Sequence, residues 1–183
     1  MKLIKNVDIM ENKKMIVWLN IATLPLLVLF LFLFGLFATR IAPFSTDLAG
    51  EFSIGGMFGE LVFFFLLILL HEGIHGFFFK VFNPKGKVKF GFKNGFAYAT
   101  SPQSFYKKGQ FAVISLSPFV LISAGLMGLF GLELLSVFSF VFLASLHAAA
   151  CVGDFYFTYL LATAPKSSLV EDTETGINFY VNE

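Results

Sequence analysis

Four apolar runs separated by polar stretches set the pattern of this chain. The first extends from Met15 to Ala38 and is closed by Arg40. The second runs from about Met57 to Phe82, the third from about Gly109 to Phe130, and the fourth from about Leu134 to Ala164, where Pro165 stops it. A hydrocarbon core of about 30 Å takes roughly 20 helical residues, so each run predicts a helix that crosses a membrane. The apolar part of a cleaved leader is only about 7–15 residues, which the first run exceeds. Pro25 is expected to kink the first helix.

Between the second and third runs the period changes. Val88 to Lys93 alternates, Asn94-Gly95 is a two-residue turn signal, and Phe96 to Ser101 alternates again. This predicts a β-hairpin over 87–101 with Phe92 opposite Ala97, Phe90 opposite Ala99 and Val88 opposite Ser101. That face is mainly apolar, and the other carries Lys87, Lys89 and Lys93. The hairpin is expected to lie amphipathically at the membrane surface. Residues 41–56, with Pro43, Asp47, Gly50, Glu51, Gly55 and Gly56, read as a loop, and Gly131–Glu133 as a very short turn. The expected fold is an all-α integral membrane protein of four transmembrane helices (15–38, 57–82, 109–130 and 134–164) with this small hairpin added. Residues 1–165 would form the membrane domain and the polar, acidic residues 166–183 a cytoplasmic tail.

Composition sharpens the class. The chain is 57% hydrophobic and 14% charged, with 27 phenylalanines among 183 residues. No soluble domain of this size needs so much apolar surface. The single cysteine, Cys151, excludes an intramolecular disulfide and a cysteine-rich metal cluster. No internal repeat is visible. Every lysine and arginine except Arg40 lies in the N-terminal segment, around the hairpin or in the tail. Positive charge marks the cytoplasmic side, so a multi-pass cell-membrane protein with both termini inside is expected. The lipid bilayer is the expected surrounding, and nothing points to nucleic acid.

The chemistry lies in His71-Glu72-Gly73-Ile74-His75, near the end of the second run. Two histidines four apart share a helix face and can reach one metal ion, while a glutamate just after the first lies beside the metal and suits a base. Ionisable groups inside a membrane segment are rare and usually functional. Gly73 and Gly76 flank the second histidine and would let another backbone approach. A catalytic zinc usually takes three protein ligands. Helices two and four run in the same direction, and His75 and Asp154 then agree in depth within about 3 Å. Asp154 is the preferred third ligand. Glu60 lies about 16 Å further along its helix, too far to coordinate, and Glu133 falls at the opposite surface. His147, about two turns deeper than Asp154, is the rival ligand. It could otherwise stabilise a developing oxyanion, bind a substrate carbonyl, sit behind a ligand, or hydrogen-bond within the bundle. Cys151 reads as a small packing residue.

A membrane helix with His71-Glu72-x-x-His75, a cytoplasmic-side hairpin and Gly153-Asp154 in a later helix resembles the bacterial putative zincin peptidase family of small integral membrane proteins. More distantly it resembles the site-2 proteases. The resemblance covers about Gly56 to Val181, including Ser117-Pro118 and the stretch Glu171–Val181. It implies zinc-dependent hydrolysis of a peptide bond at or within the membrane, in a peptide or membrane-protein substrate. Glu72 would take a proton from a water at the metal and return it to the leaving amine. The hairpin could hold an extended substrate by strand addition, or only anchor the loop to lipid headgroups. Two other readings compete. One is a non-enzymatic membrane protein with a structural metal or a bound partner, as an immunity or chaperone factor has. The other is a metal transporter with His71, His75 and Asp154 on its path. A closed structural site has four protein ligands and needs no glutamate beside it. Carriers often contain repeated halves, which this chain lacks.

Overall fold

The apolar runs fold as helices because an apolar segment with no water to bond must satisfy every backbone group internally. A computed structural model describes residues 1–41, 54–93 and 96–181. Helix α1 spans Lys13–Ile41, α2 spans Ile54–Phe82 and α3 spans Lys108–Gly131. Each is long and apolar enough to cross a membrane. At 29 residues, α1 and α2 reach about 43 Å. Pro25 lies within α1 and Pro118 within α3. Gly55 and Gly56 belong to α2 rather than to the expected loop. The rest of that loop, with Pro43, Asp47, Gly50 and Glu51, lies outside the described residues.

The fourth run is not one helix. It forms α4 (Val137–Ala150) and α5 (Val152–Thr163), bent by 44° at Cys151. Counted as one broken span, the pair makes a fourth crossing. Ser136 caps α4, its hydroxyl accepting from the Ser139 amide at 3.0 Å. The short turn before it closes through Leu134 N–H to Leu129 O and Glu133 N–H to Phe130 O, with Glu133 at φ 60°.

The expectation of an all-α fold does not hold. Strands β1 (Lys2–Asp8), β4 (Tyr106–Lys107), β5 (Leu169–Asp172) and β6 (Gly176–Val181) form an antiparallel sheet in the order β1-β6-β5-β4. The polar N-terminal segment and most of the expected tail are therefore strands, with Lys2 opposite Val181 and Asp8 opposite Gly176. The two ends of the described chain meet at one end of the molecule. The hairpin is β2 (Lys89–Lys93) with β3 (Phe96–Thr100), two-stranded and separate from the sheet. Its pairing of Phe92 with Ala97 and Phe90 with Ala99 is the register read from the sequence, although Asn94-Gly95 lies outside the described residues.

Two apolar cores result. One lies between α1, α3 and α4, where Phe140 stacks on Phe130 at 4.6 Å and meets Phe34 edge-on at 5.7 Å. The other joins the helices to the sheet, packing Phe79, Phe111 and Leu160 against Tyr106, Val170, Ile177 and Phe179. The outer faces of α1 and α2 stay apolar, with Trp18, Leu24, Val28, Phe58 and Phe65 exposed. Contiguous apolar surface of that extent suits lipid, not water.

Candidate metal centre

His71 and His75 sit one turn apart on α2, and their Nε2 atoms stand 3.0 Å apart. Asp154 lies in the first turn of α5, where the positive end of a helix favours a carboxylate. One of its oxygens is 3.3 Å from His71 Nε2 and the other 3.3 Å from His75 Nε2. These donor atoms all fall within 4.8 Å of one another. Arms of about 2.0–2.1 Å in a tetrahedron hold donors about 3.3 Å apart. The histidine–histidine and histidine–carboxylate spacings are of that size, so the donor set suits one zinc ion.

The histidines are held from behind. His75 Nδ1 lies 2.9 Å from the Ile114 carbonyl of α3. A carbonyl only accepts, so Nδ1 carries the hydrogen and Nε2 presents its lone pair to the site. His71 Nδ1 lies 3.2 Å from His147 Nε2. If His71 offers its Nε2 lone pair to a metal, its Nδ1–H donates to His147. The bend at Cys151 makes this possible: His147 ends α4, Asp154 begins α5, and each reaches a different nitrogen of the same ring. The two residues that competed for one place in the sequence thus stand on opposite sides of His71. Glu60 accepts from Ser139 at 2.5 Å, on the α2–α4 contact, and Glu133 is in the turn after α3.

Cys151 is buried and its thiol donates to the His147 carbonyl at 3.3 Å. Its sulfur is also 3.9 Å from both His71 Nδ1 and His147 Nε2, so these three form a second group with metal-binding spacing. Among the described residues, all three donors of the first group line one cavity, whereas the second group shares only His71 with it. A space of about 390 Å³ is lined by His71, Glu72, His75 and Asp154, but not by His147 or Cys151.

Besides α2, α3, α5 and the segment leading into α1, three further parts of the fold line this cavity. β3 contributes Ala97 to Ala99, and the Ala99 amide interacts with the Glu72 carboxylate. The N-terminal half of α1 contributes Asn20 and Thr23, and the β5–β6 turn contributes Asp172 to Gly176. The hairpin and that turn are tied by Lys89 to Glu174 at 3.0 Å and by the Thr100 hydroxyl to the Asp172 carbonyl at 3.1 Å. Gly76 lets the hairpin lie on α2, because a Cβ there would come 2.5 Å from the Phe90 ring. Gly73 faces open space, with no neighbouring element packed against it among the described residues. Asp172 is the site residue that sequence reasoning missed. Burial pushes its carboxyl well above the usual carboxylate range, against the pull of His75. Its one signal is the alternation of Leu169–Asp172, which is legible only once the segment is known to be a strand.

A family model described as putative zincin peptidase matches residues 64–169, more than half of the chain. The chain belongs to that family. Membership implies a zinc cofactor, and the donor set above suits it. The matched stretch takes in both histidines, Glu72, the hairpin and Asp154, and stops before Asp172. No curated protein and no solved structure matches the chain. For this zincin peptidase family member, the roles of individual residues therefore rest on its own geometry.

Proposed function

We propose that the protein is a membrane-embedded zinc metallopeptidase acting on a peptide or a membrane-protein substrate. One observation carries this reading: two Nε2 atoms and a carboxylate converge on the wall of a cavity, with Glu72 beside them. His71, His75 and Asp154 would hold the ion, and three protein ligands beside a cavity suit a catalytic rather than a closed structural site. A zinc ion bound there supplies the Lewis acidity that lowers the pKa of a water to about 7 and polarises a carbonyl. Glu72 takes the proton from the attacking water and gives it to the leaving amine. The Ala99 amide steadies the Glu72 carboxylate. His147 does not reach the cavity and acts through His71, fixing its ring and tautomer.

The setting in the bilayer follows from the outward apolar faces of the helices. The distribution of lysines supports both chain ends being cytoplasmic. Ala97, Tyr98 and Ala99 of β3 line the cavity, which supports an extended substrate lying along this strand. Phe90 and Phe92 are 61% and 74% exposed and suit contact with lipid, so one hairpin can serve both ends. A closed structural site explains neither Glu72 nor the adjacent cavity, and a carrier path does not explain Glu72.

The test is elemental analysis of the detergent-purified protein paired with a peptide-cleavage assay. Wild type and Glu72→Gln are expected to hold one zinc per chain, with cleavage by wild type alone. His75→Ala and Asp154→Ala are expected to hold none. Zinc kept in Asp154→Ala but lost in His147→Ala would move the ligand set to His71, His147 and Cys151. No zinc in any preparation would leave a non-enzymatic role exerted through a partner.

A further inference from the structure

Strand β5 alternates, with Val170 and Asp172 buried and Leu169 and Glu171 half-buried. Val170 packs in the apolar core with Ile177 and Phe179. The next inward position calls for another apolar residue, and Asp172 stands there, 7% exposed and opposite Ile177. It lines the catalytic cavity, close enough to His75 and Glu72 to feel their charges.

A tally of charge singles this group out. Glu72 and Asp154 together balance a dication. Glu174 is paired with Lys89 at 3.0 Å. The cavity lining contains no lysine or arginine among the described residues. Asp172 is thus the lining carboxyl without a counter-charge. The Thr100 hydroxyl beside it donates to the Asp172 backbone carbonyl and brings no charge. A buried carboxylate is costly unless it is neutralised or paired, and a cation brought in by the substrate pairs it.

We infer that Asp172 is a specificity determinant that receives a cationic group of the substrate, so that the cavity selects peptides carrying an ammonium or guanidinium close to the bond to be cut. This rests on the peptidase reading and names its substrate class. The cation is either a lysine or arginine side chain or a free amino terminus, which share the same chemistry. The carboxyl binds without reacting, and no proton transfer to the scissile bond is assigned to it.

The experiment measures binding to the zinc-loaded Glu72→Gln protein, which needs no turnover. The probes are fluorescent ten-residue apolar peptides carrying a single lysine, arginine or norleucine at each position in turn, with free or acetylated amino termini. Lysine or arginine peptides are expected to bind at least about 10-fold more tightly than norleucine peptides at one or two positions, the scale of one desolvated charge pair. That ratio should fall to about one in Glu72→Gln/Asp172→Asn and return in part with Asp172→Glu. A preference abolished by acetylation would assign the cation to the amino terminus and still supports the proposal. A ratio left unchanged by Asp172→Asn, or no preference at all, overturns it. Zinc content and wild-type cleavage are read in parallel. Peptides cut without cation preference sink this proposal alone, while a chain with neither zinc nor cleavage removes the peptidase reading beneath it.

Discussion

At the scale of residues, the site turns on how one imidazole is shared. His71 gives Nε2 to the cavity side and Nδ1 to His147, whereas His75 has its Nδ1 fixed by a backbone carbonyl. A side chain holding a ligand from behind tunes affinity without supplying it. His147→Ala is expected to weaken zinc binding about 10- to 100-fold in a chelator competition. His147→Gln, whose amide oxygen can accept from Nδ1–H, should recover part of it. Equal zinc affinity in wild type and His147→Ala would reduce His147 to packing. Asp172 permits a test by pH. Its carboxyl titrates higher when folded than when unfolded, so folding favours the protonated form. The associated stability is present below about pH 4 and is lost as pH rises toward the folded value. In metal-free protein, Asp172→Asn should therefore melt increasingly above wild type as pH is raised from 4 to 8. Parallel curves would mean the carboxyl is not strained by its burial. The pair on α2 was legible because its spacing is local to one helix. Asp154 was reached by matching depths. Asp172 was hidden because its meaning depends on a strand pairing that no local spacing announces.

At the scale of elements, hydropathy read three helices nearly to their ends and misjudged the fourth. The run from Leu134 to Ala164 carries no proline at the break, so its mean hydropathy does not separate α4 from α5. The bend falls at Cys151, just before Gly153 and Asp154 in the first turn of α5. The sheet was missed for another reason. β1 reads as a basic terminus, and its partner β6 lies at the other end of the chain. The hairpin, closed within a few residues, was read in its correct register. Its seat on α2 can be tested. Gly76→Ala should displace Phe90, lower cleavage and leave zinc content intact, and adding Phe90→Ala should restore part of the activity. Additive losses in the double variant would show that the two residues do not share this contact.

At the scale of the whole molecule, the helices hold the ligands and the strands finish the cavity. The Ile9 and Met10 amides both donate to the Thr175 carbonyl, at 2.8 and 3.0 Å, fastening the entry to α1 onto the β5–β6 turn. Deleting residues 176–181 should leave zinc content near wild type, since every proposed ligand lies in a helix, yet abolish cleavage. Loss of zinc in step with activity would mean that the sheet shapes the metal site itself. The pairing of β1 with β6 also orders events during biosynthesis. The histidine pair leaves the ribosome well before Asp172, and β6 is made only after every helix. A nascent chain can thus insert, and even load metal, while the wall that completes the cavity does not yet exist.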